Sequence, residues 1–301
     1  MILDAHSVAA VLGGEVTGRD RVLAPGPGHS AADRSLSILI SATAPGGLLV
    51  TSHAGDDWRD CRDHVFRRLG VSPEVRVKSE KPPIGGFSAD EADRTARAVQ
   101  LWREAVDPRR TPVDAYFRSR GLALPPEACG EVLRWHPACP FGPGIRTGAM
   151  IALVRDVVTN EARAIHRTAI SGDGAKRSDL GSNGRLTLGP VAGGAVKLTP
   201  DADVTTMLGL GEGIESSLSL RRIPEFGRSP VWALLSAGQV SRFPLLPGIE
   251  TLWIAADHDP AGLRATEAAA EHWRSREVLV VTPRRLKADL NDVVMEASHA
   301  A

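Results

Sequence analysis

Two short acidic stretches hold the residues best suited to chemistry. One runs Gly209-Leu-Gly-Glu212-Gly-Ile-Glu215, and the other Ile254-Ala-Ala-Asp257-His258-Asp259-Pro-Ala-Gly262. Each follows an apolar run that reads as a buried strand, and each opens a helical pattern. Carboxylates at strand ends of an α/β sheet lie where such folds place their active sites. Asp257 and Asp259 are two residues apart, so in extended chain both point the same way. Glu212, from a neighbouring strand, closes the group. Two unit charges about 4 Å apart repel by roughly 4 kcal/mol at an effective dielectric near 20. The set therefore calls for a cation, Mg²⁺ or Mn²⁺, and through it for phosphate chemistry. Asp257 and Asp259 are the candidate metal ligands. Glu212 is both a candidate ligand and the candidate acceptor of a proton. Asp259-Pro260 also reads as a helix N-cap with Pro at N1, which accounts for Asp259 but not for Asp257 or Glu212. Glu215 reads as a first-turn helix residue, not a ligand.

The elements that must position these groups follow a β-α-β-α-β-α pattern after about residue 203. Strands are expected at Val204–Leu210, Val231–Leu235, Glu250–Ala255 and Glu277–Val281. Helices are expected at Glu215–Arg222, Ala261–Arg274 and Leu290–Ala297. Such alternation with short connections implies a parallel sheet flanked by helices. Residues 131 to 200 read as short strands and glycine turns, with a hairpin of 150–154 and 162–168 around Thr159-Asn160. Residues 91 to 121 read as two helices, the first capped by Ser88 and Glu91. Residues 73–90, with Pro82-Pro83 and the pair Gly85-Gly86, have a linker composition. Residues 1–72 read as a small unit: a helix at Ala5–Leu12, two strands separated by Pro45-Gly46, and a helix from Asp57 to Leu69.

The 301 residues are 43% hydrophobic and 24% charged, an ordinary globular balance. Lys+Arg and Asp+Glu both number 36, so bulk charge gives no argument for nucleic acid. Cys61, Cys129 and Cys139 are widely spaced, which fits a reducing compartment and no disulfide framework. No apolar run reaches membrane-spanning length, so the expectation is a cytoplasmic protein without a membrane partner.

With Glu212-Gly213, Asp257-x-Asp259-Pro-Ala-Gly262 and the later Lys287-Ala-Asp289-Leu-Asn291-Asp292 in this order, the chain resembles the Toprim domain shared by primases, topoisomerases and some nucleases. The resemblance implies a Toprim domain over 203–301, with Glu212 as general base and Asp257 and Asp259 as the Mg²⁺ site. The stretch from Gly189 to Lys197 is similar to one found in phage- and plasmid-type Toprim primases. Residues 91–202 then correspond to the basic, mixed α+β subdomain that precedes the Toprim fold in primases. It implies a nucleotide and template track through His166, Arg167, Lys176, Arg177, Arg185 and Lys197, completed by Lys287 and Asp289. Taken singly, each of these cations is an ordinary surface charge. His166 is as readily a strand-edge residue as a base-stacking one. The glycines of 189–194 permit close approach either to phosphate or to the neighbouring sheet.

In the same family residues 1–72 would be a zinc ribbon, but the cysteine positions hold Gly26, Ser52 and Asp56, and only His29 is kept. No zinc is expected, and apolar packing is expected to hold the ribbon. An oxygen-rich site from His29, His53, Asp56 and Asp57 stays open. The resemblance thus implies a primase making short RNA primers on single-stranded DNA from ribonucleoside triphosphates. No Walker A sequence occurs, so a replicative helicase would act in trans. Two alternatives are a metal-dependent Toprim nuclease and a catalytically reduced remnant that binds DNA or a helicase. A topoisomerase is disfavoured, because the one tyrosine, Tyr116, lies on an expected helix outside any matching context.

Overall fold

The computed structural model describes residues 4–18, 20–40, 47–54, 56–70 and 89–300. The Pro45-Gly46 turn, most of the 73–90 linker and the Ser88 cap lie outside them. The chain divides into two compact units. One contains residues 1–82, 200–208 and 244–252; the other contains 83–199, 209–243 and 253–301.

The first unit opens with α1 (Ala5–Leu12), where the Asp4 side chain accepts from the Ser7 N–H at 3.0 Å and Gly13 closes the helix at φ 70°. Both are expected cap chemistries. Four strands follow: β1 (Glu15–Gly18), β2 (Arg21–Ala24), β3 (Leu36–Ile40) and β4 (Leu48–Ser52). They form an antiparallel sheet in sequence order. The sequence pattern identifies β3 and β4 but not β1 and β2. Those two are four residues each, and β1 is exposed throughout, so neither carries an alternation to read. Helix α2 (Trp58–Leu69) is capped by Asp57 and stopped by Gly70 at φ 60°. Val8 and Leu12 of α1 and Val65 and Phe66 of α2 share one core with Val22, Leu36, Ile38 and Val50.

The second unit begins with α3 (Ala89–Glu104) and α4 (Pro112–Ser119), the latter capped by Thr111 with Pro at its first turn. An antiparallel sheet follows: β5 (Leu133–Pro140), β6 (Arg146–Asp156), β7 (Ala162–Ala169) and β8 (Arg185–Leu188), with β9 (Gly194–Ala195) added to β6. Asn160 makes the β6–β7 turn at φ 59°. Strand alternation sorts this sheet into two faces. Ile151, Leu153, Ile165, Leu186 and Leu188 pack with Ala98 and Trp102 of α3. The opposite face carries Ala152, His166 and Thr187 in one register row and Thr168 and Arg185 in the next.

The remaining elements are β10 (Met207–Gly211), α5 (Ile214–Ser219), β11 (Val231–Ala233), α6 (Ala237–Val240), β12 (Thr251–Ala255), α7 (Pro260–His272), β13 (Glu277–Val281) and α8 (Leu290–Ala300). The four strands form a parallel sheet of order β11-β10-β12-β13. The molecule is thus a mixed α/β fold with a helix-flanked parallel sheet at its C-terminal end. After β10 the chain steps to one side, and after β12 to the other. The switch point therefore lies between β10 and β12, where an open α/β sheet leaves a crevice at its carboxyl edge. Trp232, Phe243 and Trp273 anchor the sheet and its helices. Phe243 stacks on Trp273 with centroids 5.9 Å apart, and Trp273 Nε1 donates to the Phe243 carbonyl at 3.1 Å.

Candidate active site

Glu212 directly follows β10, and Asp257 lies one residue beyond Ala256 at the end of β12. These are the two strands on either side of the switch point. The Asp257-His258-Asp259 turn is laced to the segment after β13: His258 N–H donates to the Ala288 carbonyl at 2.9 Å, and Lys287 N–H to the His258 carbonyl at 2.8 Å. Lys287 adopts φ 61° to make that exchange. An acidic cleft results, lined by Asp257, His258, Asp259, Lys287, Ala288, Asp289 and Asp292. Gly262 makes it possible, since a Cβ there would sit 2.4 Å from the Asp257 carbonyl oxygen.

The carboxylates differ in how they are held. Asp259 Oδ1 accepts from the Ala261 and Gly262 N–H groups, both at 2.8 Å, and caps α7. Asp289 Oδ1 accepts from the Asp292 N–H at 2.9 Å, and Asp292 Oδ2 accepts from the Asp289 N–H at 3.2 Å. Asp257 has no such support: its Oδ1 is buried and has no hydrogen-bond partner. Burial, with the charges of Glu212, Asp289 and Asp259, pushes its carboxyl up to about 7. Burial likewise raises Glu212, with Asp259 adding to the shift and the Ala237 N–H opposing it. Asp289 is raised by burial and by Asp292 and Glu215. Repulsion of this kind, centred on an orphaned carboxylate oxygen, fits a divalent cation. Among the described residues no three His, Cys, Asp or Glu side chains are gathered as a ready-made ligand set.

The expected basic track divides. Lys176 and Arg185 stand at the acidic group: Lys176 is lowered by burial and by Arg185 and Arg120, while Glu215 and Asp289 act in the opposite sense. Arg185 is also the cation felt by Asp257. Lys287 lines the cleft. The other members lie elsewhere. Lys197 is buried, with its ammonium on the Val157 carbonyl at 3.2 Å and 4.7 Å from the Trp232 ring centroid. Arg167 is buried on the α3 face, donating to the carbonyls of Pro140 at 2.6 Å and Thr187 at 3.1 Å. Both are structural cations, so the structure moves them off the surface track. Arg177 forms an exposed pair with Asp179 at 2.6 Å. His166 is buried and pushed down to about 4 by burial and then by Arg185, which keeps it neutral at pH 7 and unavailable for stacking from solvent. The glycine stretch packs against the sheet: at Gly189, φ 94°, a Cβ would lie 2.5 Å from the Arg163 carbonyl oxygen.

Glu215 and its partner Tyr116 escape the sequence pattern. Glu215 is buried in the first turn of α5, accepting from Tyr116 Oη and, at 3.2 Å, from Arg185 Nη2. Burial alone would raise it, but Arg185 and Tyr116 outweigh that and hold it below the usual glutamate range. A carboxylate one helical turn after Glu212, in an otherwise Ser- and Leu-rich buried turn, was the available signal.

In the first unit Gly26, His29, Ser52 and Asp56 converge through hydrogen bonds that also engage Asp33. His29 Nδ1 meets Asp33 Oδ2 at 2.9 Å, and Nε2 meets Asp56 Oδ1 at 3.2 Å. Ser52 Oγ donates to Asp56 Oδ2 at 2.8 Å, and Gly26 N–H to Asp33 Oδ2 at 3.2 Å. The oxygen-rich alternative is not assembled: His53 is exposed, and Asp57 is spent on the α2 cap. The unit therefore adds a polar clasp to the apolar packing expected of it.

Residues 207–300 match the family model of the Toprim domain. Residues 92–198 match a model described as a domain of unknown function, DUF7146. No curated protein matches the chain. Among solved structures, the Aquifex aeolicus primase (zinc-binding and RNA polymerase domains) is similar at 14% identity and TM-score 0.43, over 98% of this chain and 82% of that one. The primase fragment of the bacteriophage T7 primase-helicase is similar at 12% identity and TM-score 0.44, over 91% and 95%. A DNA primase domain from Pseudomonas aeruginosa is similar at 14% identity and TM-score 0.40, over 70% and 77%.

Proposed function

We propose, from the match of residues 207–300 to the Toprim domain, that the chain is a primase-like nucleotidyltransferase, making short RNA primers on single-stranded DNA with Mg²⁺ or Mn²⁺. The observation that carries the reading is Asp257, a half-buried carboxylate with an orphaned oxygen among three further carboxylates. Mg²⁺ held by Asp257 and Asp259, with Asp289 nearby, would offset charge on the phosphate oxygens. Glu212, raised by burial, accepts the proton of the attacking 3′-hydroxyl. That oxygen forms a bond to the α-phosphorus of the next ribonucleoside triphosphate, and pyrophosphate leaves. Lys176, Arg185 and Lys287 supply cationic donors for the triphosphate and the template backbone. A replicative helicase in trans is the proposed protein partner.

Labelled ribonucleotides, Mg²⁺ and single-stranded DNA should give short RNA products. Asp257→Asn should lower their yield ~100-fold or more, the scale on which losing one electrostatic stabiliser acts. Supercoiled plasmid should stay uncut under the same conditions, and nicking would favour the nuclease alternative.

A further inference from the structure

Two buried residues, Tyr116 and Glu215, have no part in the mechanism above, yet they hold Arg185, which does. Tyr116 of α4, Glu215 of α5 and Arg185 of β8 come from three elements more than 29 positions apart in the chain and meet around one carboxylate. Both Glu215 oxygens are engaged, Oε1 by the Tyr116 hydroxyl and Oε2 by Arg185. The Glu215 side chain is 6% exposed, whereas that of Arg185 is 34% exposed. The triad thus has a buried end and an open end. At the open end is a planar fork of five N–H donors, and among the described residues its only hydrogen bond is to Glu215. The Arg185 charge acts on Asp257 and Asp289 as well as on Glu215.

A buried ion pair is retained at a desolvation cost, so it is weak evidence for stability alone. It does fix geometry. A second-tier carboxylate that orients a guanidinium leaves less rotamer freedom to be lost when a phosphate binds. The neighbourhood is braced in the same sense. Asn291 of α8 donates to the Arg120 carbonyl at 2.8 Å and to Ser219 Oγ of α5 at 3.3 Å. The Arg120 guanidinium lies 5.5 Å from the Tyr116 ring centroid.

We infer that Glu215, itself held by Tyr116, is a positioning residue that presents Arg185 to the triphosphate of the incoming nucleotide. The inference rests on the nucleotidyltransferase reading and adds residues that act through another side chain.

The test is ATP binding with Mg²⁺, measured by calorimetry on the full chain, alongside Mg²⁺ binding without nucleotide and thermal melting. Arg185→Gln should weaken ATP binding ~10–100-fold, the range for hydrogen bonds to charged groups. Glu215→Gln should weaken it ~10-fold, and Tyr116→Phe a few-fold, with Mg²⁺ affinity little changed. Glu215→Gln placed on Arg185→Gln should add nothing further, because coupled residues are not additive. Tyr116→Phe on the same background repeats that cycle in a milder variant if Glu215→Gln does not fold. Wild-type ATP affinity in Glu215→Gln and Tyr116→Phe, or full additivity with Arg185→Gln, would overturn the inference and leave the reading standing. Absence of ATP binding by the wild-type chain would overturn both.

Discussion

At the scale of single residues, Asp257 is the carboxylate least supported by its surroundings. Its carboxyl is raised from 3.8 to about 7, so the folded chain holds a proton there that the unfolded chain releases. Stability from this group therefore falls as pH rises from about 4 to about 7 and is flat above. Two outcomes follow. Mg²⁺ affinity, measured by calorimetry, should rise with pH up to about 7 and then level off, with proton release on binding below 7. Asp257→Asn should raise the melting temperature of the metal-free chain at pH 8 while abolishing synthesis, the usual opposition of site strain and stability. Gly262→Ala should act differently: its Cβ meets the Asp257 carbonyl, so both melting temperature and Mg²⁺ affinity should drop. The positions of Glu212, Asp257 and Asp259 were legible in the sequence because strand ends and cap chemistry leave local signatures. The partners of Glu215 were not, since Tyr116 is 99 positions away and no local pattern encodes that contact.

At the scale of elements, the parallel sheet was legible because each strand is an apolar run bounded by helix signals. The ends moved by a few residues: the first strand starts at Met207 instead of Val204, and α5 stops at Ser219 before a 3₁₀ turn. The basic track was misread in part for a physical reason. Strand alternation sends Arg167 to the α3 face and leaves His166 on the other, and a cation can be buried when carbonyls receive it, as with Lys197. Trp273→Ala, which removes the ring stacked on Phe243, should cost about 3–5 kcal/mol in denaturant unfolding. In the first unit, His29 is raised above 6.5 by its hydrogen bond to Asp33, against some desolvation, and with help from Asp56. That contribution is full below 6.5 and fades as pH rises through the raised value. Asp33 is depressed below 3.8, mainly by Ser35, so its contribution is present above 3.8 and is lost as pH falls through the depressed value. The clasp should be strongest between about pH 4 and 6.5. NMR titration should show the His29 pKa raised above the ordinary imidazole value in the wild-type chain and lowered relative to it in Asp33→Asn.

At the scale of the whole molecule, charge is balanced at 36 against 36, so template binding cannot rest on bulk potential. In the proposed reading it rests on a few local cations. With Lys176, Arg185 and Lys287 as about three phosphate contacts, the affinity for single-stranded DNA should fall with a log–log salt slope of about −2. Anisotropy titrations across salt would check this, and a slope several-fold steeper would place the template on other cations. Among the described residues no helix is long and apolar enough to cross a membrane.

Primer synthesis on single-stranded DNA with labelled ribonucleotides and Mg²⁺ tests the central claim most directly. The account predicts short, template-dependent RNA from the wild-type chain and none from Asp257→Asn. Products of equal yield from both chains, or none from the wild type across varied templates with Mg²⁺ or Mn²⁺, would contradict it.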